Sequence, residues 1–336
     1  MAAIVPMFSA VASSTRHILL LLRCISFAKK ALVRISAEGL RFSTDEGSSI
    51  EAFVFLDKAL FTSYTYHAPE PASSQDDPPE PPFFEIDLQS LLETLNIFSL
   101  SDLTSSTRSG GYDDFAAHRL NRHAGMNAFT NHAMGVTGVC NFSYNGEGGA
   151  LSIHMFESGV TTTCDLTTYE ADTVEDIPFN RDSLSVKTIM RAKFLLEAVT
   201  ELNSVNPASM TVFASPGSAS KPNLSLSAIG ALGTAAIDFT TATSSETPVL
   251  ESLYCPTETS ASYPFAALKA AQRAMASATK VSLRLDDEGV LSLQFLIELE
   301  VGSSDGSGAV AFVDFRIVPL VDDEGAREHG GESTSE

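Results

Sequence analysis

The chain repeats one unit, a short Leu/Ala-rich helix followed by alternating strands, once in each half. An early helix over roughly Ser14–Phe27 leads into strands around Lys30–Phe42 and Glu51–Tyr66. A later helix over roughly Arg191–Leu202 leads into strands around Met210–Phe213 and Asn223–Phe239. A helix hides one stripe and a strand hides alternate residues, so each supplies the cover the other needs. Two copies of such a unit predict an α+β scaffold built in tandem, with no evident catalyst in it. In the first helix, Ile18, Leu21, Leu22 and Ile25 recur at i, i+3, i+4 and i+7. Ser13 or Ser14 is placed to cap it. Arg16 and Arg23 fall on the opposite face, about 10 Å apart along the axis.

The intervening segments read in order. Lys30–Ser36, a turn at Ala37–Gly39 and Leu40–Ser43 form a hairpin, and Glu51–Phe61 is apolar and rich in Phe. Residues 68–82 form a Pro/Asp/Glu-rich loop that cannot build a core. Phe83–Ile86 is a short strand, and Asp87 caps a helix with Leu88, Leu91, Leu92 and Leu95 on one face. Residues 101–135 read as an insertion without period. Val139–Tyr144, the turn Asn145–Gly149 and Ala150–Phe156 form a hairpin that Gly159–Leu166 extends. The acidic stretch 167–179 links the halves.

In the second half, residues 243–263 read as a polar stretch, and Pro264–Ala278 as one helix with Pro264 in its first turn. The clearest strand holds Leu291, Leu293, Phe295, Ile297 and Leu299 at every second position. It pairs with Val281–Leu285 through Asp286–Gly289, and Ala309–Val318 closes the sheet. The tail 321–336 is acidic and expected to be disordered.

At 336 residues the length fits about two domains. The longest aliphatic run, Ile18–Leu22, stops at Arg23, far short of the roughly 20 residues that span a bilayer. The acid-free, basic stretch from Met1 to Ala37 also has the character of a transit peptide, but no cleavage site separates it from the strand pattern that follows. A net charge of −21, evenly spread, would repel nucleic acid. Six of the 21 Lys/Arg, however, lie between Arg16 and Arg41, so a basic surface inside an acidic chain is expected. Cys24, Cys140, Cys164 and Cys255 lack CxxC spacing and read as free thiols. His118, His123 and His132 match no zinc pattern. The runs Asp286–Asp287–Glu288 and Asp322–Asp323–Glu324 invite a metal-dependent nuclease reading, but the first is a turn and the second lies in the tail. No phosphate-binding loop, nucleophile elbow or HExxH occurs.

The order of elements resembles the sliding-clamp fold of PCNA, and within it the Rad-one subunit family of the heterotrimeric DNA-damage checkpoint clamp. The stretches carrying the likeness are Gly39–Tyr64, Phe83–Phe98, Leu283–Ile297 and Val310–Pro319, within residues 7–320. The loop 68–82 and insertion 101–135 depart from that compact pattern. The resemblance implies two pseudo-repeated domains with sheets outside and helices on the inner face. Its divisions are 1–166, a connector 167–179, 180–320 and the tail 321–336. It further implies two related clamp subunits as partners, a clamp loader, double-stranded DNA through the ring, repair enzymes, a nuclear location, no membrane and no cofactor.

On this likeness Arg16, Arg23, Lys193, Lys269 and Arg273 face DNA, although the second helix, Leu88–Ile97, lacks Lys and Arg. Ile177, Pro178 and Phe179 border a pocket for partner peptides. Ring closure falls to Leu151–Phe156 or Gly159–Leu166 at one end and Asn223–Phe239 at the other. Exonuclease activity and a homotrimeric replication clamp are the competing readings. For Lys193, a plain solvated pair with Glu197 competes with a role toward DNA.

Overall fold

The computed structural model describes residues 6–12, 15–68, 81–106, 139–157, 160–171, 176–216, 222–240, 248–299 and 309–321. The first half runs β1 (Phe8–Ala12), α1 (Arg16–Cys24), β2 (Lys30–Ile35), β3 (Gly39–Glu46), β4 (Ile50–Asp57), β5 (Ser63–Tyr66) and β6 (Phe83–Asp87). It continues with α2 (Leu88–Ser106), β7 (Val139–Tyr144), β8 (Leu151–Glu157) and β9 (Val160–Leu166), then a two-residue β10 (Thr168–Tyr169). The second half runs β11 (Leu184–Arg191), α3 (Ala192–Leu202), β12 (Pro207–Ala214), β13 (Leu224–Gly230), β14 (Gly233–Phe239), β15 (Leu250–Tyr254) and β16 (Thr259–Pro264). It ends with α4 (Phe265–Ala270), α5 (Gln272–Ser277), β17 (Lys280–Asp286), β18 (Leu291–Leu299) and β19 (Ala309–Ile317).

Both halves therefore follow strand, helix, five strands, helix, three strands, with the second helix of the latter half split at Ala271. The sequence pattern places Lys30–Ser36, Leu40–Ser43, Glu51–Phe61 and Phe83–Ile86 between the first two helices, and Met210–Phe213 and Asn223–Phe239 between the later two. The additional ones include β5, β15 and β16, each at the border of a sheet. A border strand has little to bury, so LESLY and TSASYP carry no clean alternation, and SYTY alternates over only four residues. The stretch read as polar, 243–263, thus contains two strands. The predicted helix over 264–278 is two helices, with Ala271 N–H bonded to Leu268 O in a tightened turn.

Three antiparallel sheets result. Five strands run β5-β1-β7-β8-β9, four run β14-β13-β12-β16, and ten run β10-β6-β2-β3-β4-β19-β18-β17-β11-β15. The ten-stranded sheet joins the halves where β4 pairs with β19, from Val54 opposite Val313 to Ile50 opposite Ile317. Its inner face is apolar by strict alternation: Ile50, Ala52, Val54 and Leu56 on β4, and Ala311, Val313, Phe315 and Ile317 on β19 are buried. The core is continuous across this seam. Phe295 and Phe315 meet edge-to-face there, with ring centroids 5.8 Å apart at 87°.

The helices cover that inner face: α1 lies on β4 and β19, α2 on β2 and β6, α3 on β11 and β17, and α5 on β18. Asp87 caps α2, accepting the Ser90 N–H at 2.6 Å, and Leu88, Leu91, Leu92 and Leu95 behind it are all buried. Hydrogen bonds from Ser90 hold the Asp87 carboxyl below its usual range. We predict that Asp87→Ala costs about 1 kcal/mol at neutral pH. A group with a lowered folded pKa stabilises above its unfolded value and loses that effect as pH falls. Urea unfolding should therefore show a wild-type advantage that is flat near neutrality and shrinks as pH drops below 3.8, the ordinary value of this carboxyl.

Candidate nucleic-acid interface, assembly edges and connector

The helices form one row. α1 packs on α2, α5 packs on α3, and α1 meets α5 across the two halves. The central contact is polar: Arg273 Nη1 donates to Ser26 Oγ, while the nearby Cys24 thiol, pushed up to about 11 by burial, donates to Leu20 O at 3.3 Å within α1. Beside it Arg23 Nη2 donates to Asn96 Oδ1 at 2.9 Å, tying α1 to α2. Arg16, Arg23, Lys193, Lys269 and Arg273 are all exposed, because each helix turns its apolar stripe to the sheet. Lys193 pairs with Glu197 at 3.4 Å, an exposed i, i+4 pair of the weak kind. By sequence the helices carry these five cations against Glu93, Asp102, Glu197 and Glu201, near balance within a chain of net −21. Exposed Lys29 and Arg191, which are not among the five expected DNA-facing residues, flank the starts of α2 and α3.

Each of the two smaller sheets ends in a strand that is paired on one side and open on the other among the described residues. β8 sits between β7 and β9, and β13 between β12 and β14, so the expected closing segments narrow to β9 and β14. These two share a pattern: VTTTCDL and GTAAIDF have the same succession of exposed, half-buried and buried positions. Apolar side chains stand beside both. Phe156 (58% exposed) on β8 flanks β9, with Val139 opposite it one strand further in on β7, and Ile229 and Leu232 (76% each) flank β14.

The third feature is the connector, which lies on the outer face of the ten-stranded sheet. Glu51, opposite Arg316 in the β4–β19 register, is buried. Its Oε2 accepts the Ile177 N–H at 3.0 Å, and Arg316 Nη1 donates to Ile177 O at 2.5 Å. Arg41 Nη2 bridges Asp176 at 2.8 Å and Glu51 at 3.3 Å. Arg41 and Arg316 both stack on Phe53, at 4.5 and 5.0 Å from its centroid, and Arg284 lies 5.5 Å from that of Phe179. Burial and the Asp176 charge push the Glu51 carboxyl up. Burial raises Asp176 as well, but the hydrogen bond and charge of Arg41, with Arg34 and Arg316 behind, leave it below its usual range. Of the three predicted peptide contacts, Ile177 is turned into the sheet at 8% exposure, Phe179 is half-buried and Pro178 is exposed. The mid-strand arginines 34, 41, 284 and 316 escaped the sequence reading. Their signal was parity, since each alternates with core residues on its strand.

Asp286 is 2% exposed and engaged by backbone: Oδ1 accepts from Glu288 and Val290, and Oδ2 from Asn180 at 3.1 Å. Asp287 Oδ1 takes the Asn180 side chain at 3.4 Å. That accounts for these carboxylates as turn and connector anchors. No group of three His, Cys, Asp or Glu placed to hold a metal occurs among the described residues. His118, His123, His132 and the run Asp322–Asp323–Glu324 lie outside them. Among the described residues no helix is long and apolar enough to cross a membrane, and all four cysteines are free.

This geometry can be set beside known proteins. PCNA from Thermococcus kodakaraensis superposes with a TM-score of 0.59 over 93% of this chain and 100% of that one, at 20% identity. The fold is thus that of a sliding clamp. The DNA damage checkpoint control protein rad1 of Schizosaccharomyces pombe is 31% identical over 317 residues, covering 94% of this chain and 87% of that protein. The human cell cycle checkpoint protein RAD1 is 24% identical over 93% of this chain and 92% of its own length. A relative in Mycosarcoma maydis named DNA repair exonuclease REC1 is 24% identical over 71% of this chain and 63% of its own length. The family described as "Repair protein Rad1/Rec1/Rad17" matches residues 7–297, and this chain belongs to that family.

Proposed function

We propose that the chain is one arc of a heterotrimeric DNA-damage checkpoint clamp that encircles DNA in the nucleus, recruits repair factors and supports checkpoint kinase signalling. An ATP-driven loader opens and closes it. In this reading residues 1–166 and 180–320 are its two domains, 167–179 joins them and 321–336 is a tail. The observation that carries it is the single row of helices with exposed cations, combined with two apolar-flanked edge strands, β9 and β14, each open on one side. Phosphates are met by Arg16, Arg23, Lys193, Lys269 and Arg273 without reading of bases. The main-chain groups of β9 and β14 pair with neighbouring subunits, which removes two open edges. Partner peptides dock on the outer face, where Pro178 and the aromatic pair Phe55 and Phe312 (40% and 44% exposed) are accessible.

Sedimentation tests the assembly: the purified chain stays monomeric and forms a 1:1:1 complex with two related clamp subunits. A stable self-trimer would make it a replication clamp. Reversing Arg23, Lys269 and Arg273 to Glu leaves that complex intact. It lowers its retention on closed circular DNA at least about tenfold and flattens the salt dependence, as expected for about three lost phosphate contacts. Degradation of labelled DNA with magnesium, abolished by Asp286→Asn with Glu288→Gln, would replace the scaffold reading with a nuclease.

A further inference from the structure

We infer that connector residues 176–180 occupy a peptide-binding groove in place of an external ligand, and that the groove's ligand class is an acidic segment of a partner protein, an acid followed by an aliphatic residue and then an aromatic one. The inference rests on the outer face being the recruiting surface only for its biology; the groove itself is argued from its own contacts.

In a chain of net −21, Arg34, Arg41, Arg284 and Arg316 gather on one stretch of sheet, and Arg181 follows the connector close to Asp314. The carboxylates facing them are Glu51, Asp314 and Asp176, and only the first two belong to the sheet. Without the connector, the four guanidiniums of the sheet would face two buried acids, an arrangement that costs heavily unless an anion returns. The connector returns one. Asp176 supplies the carboxylate to Arg41, the Ile177 side chain fills the buried position, and Phe179 lies beside Arg284. The Ile177 N–H and C=O are both taken by side chains, Glu51 and Arg316, not by a neighbouring strand. Nothing in this set depends on the segment being covalently joined. One carboxylate, one main-chain donor and acceptor pair and two apolar side chains describe a short linear ligand. The buried Nε atoms of Arg34 and Arg41 have no hydrogen-bond partner among the described residues, so donors remain for a further carboxylate oxygen.

A groove filled from within binds an outside peptide with an affinity reduced by the fraction of time it stands open. The test is fluorescence polarisation of the full chain with a labelled, end-blocked Asp-Ile-Pro-Phe-Asn peptide, the sequence of residues 176–180. Asp176→Asn loosens the internal segment and raises peptide affinity at least about tenfold over wild type. An Asn-Ile-Pro-Phe-Asn peptide binds that variant at least about tenfold more weakly, and adding Arg316→Ala removes binding. Should Arg316→Ala unfold by circular dichroism, Arg41→Lys in the Asp176→Asn background keeps the charge but not the planar fork, and lowers affinity likewise. Equal affinity of wild type and Asp176→Asn, indifference to the peptide's acid, or binding that survives loss of the arginine fork overturns the inference. None of these measurements involves DNA or ring assembly, so their failure is separate from failure of the clamp reading.

Discussion

Phe295→Ala lowers the free energy of unfolding by about 3–5 kcal/mol. Phe295 is completely buried on β18, opposite Val281 on one side and Val313 on the other, and its ring meets Phe315 edge-to-face. α5 closes over this strand. The site is walled by paired backbone on both flanks, so it cannot collapse into the vacated volume, and the cavity penalty adds to the lost transfer energy. Urea denaturation reads the effect as a lower midpoint at unchanged slope. The control is Phe312→Ala on the neighbouring strand. Phe312 points to the opposite face and is 44% exposed, so its removal stays within about 0.5 kcal/mol. Equal effects of the two variants would mean that the faces of the sheet are misassigned.

Ring closure through β14 predicts two different outcomes from adjacent substitutions. Along an antiparallel strand, consecutive N–H groups point alternately to the two sides. Of Ala235 and Ala236, one therefore donates to β13 and the other to the open edge. Proline at the first position breaks the internal ladder and costs the monomer about 3 kcal/mol. Proline at the second leaves the monomer folded. It removes a junction hydrogen bond and places a ring where a neighbouring strand must approach, weakening assembly about 100-fold, or about 2.8 kcal/mol. Sedimentation with the partner subunits and thermal unfolding of each monomer separate the two. Assembly undisturbed by either proline would remove β14 from the junction.

What could be read beforehand follows burial. β18 announced itself because all five of its inward positions are apolar and buried, and α1 because its stripe covers two strands and two helices. β15 and β16 did not, since border strands pack on one side only and their residues satisfy no period. The helix cations were legible for the same reason as the stripe opposite them. The arginine cluster was not: Arg41, Arg284 and Arg316 come from three strands distant in sequence, and only the β4–β19 seam brings them together. The second helix likewise extended past its expected end, to Ser106, into a segment whose composition showed no period.

The β4–β19 seam carries one more implication. A linked pair of modules normally bends at its waist, yet here the waist is a hydrogen-bonded ladder over a shared apolar floor, fastened across the top by the connector's Asp176–Arg41 ion pair and the two main-chain hydrogen bonds of Ile177. Flexing it would tear backbone pairing and wet the core at once. Torque applied to a circle made from such pieces is transmitted whole to the places where one chain stops and the next begins. A breach wide enough to admit a duplex would therefore open between chains and never within one.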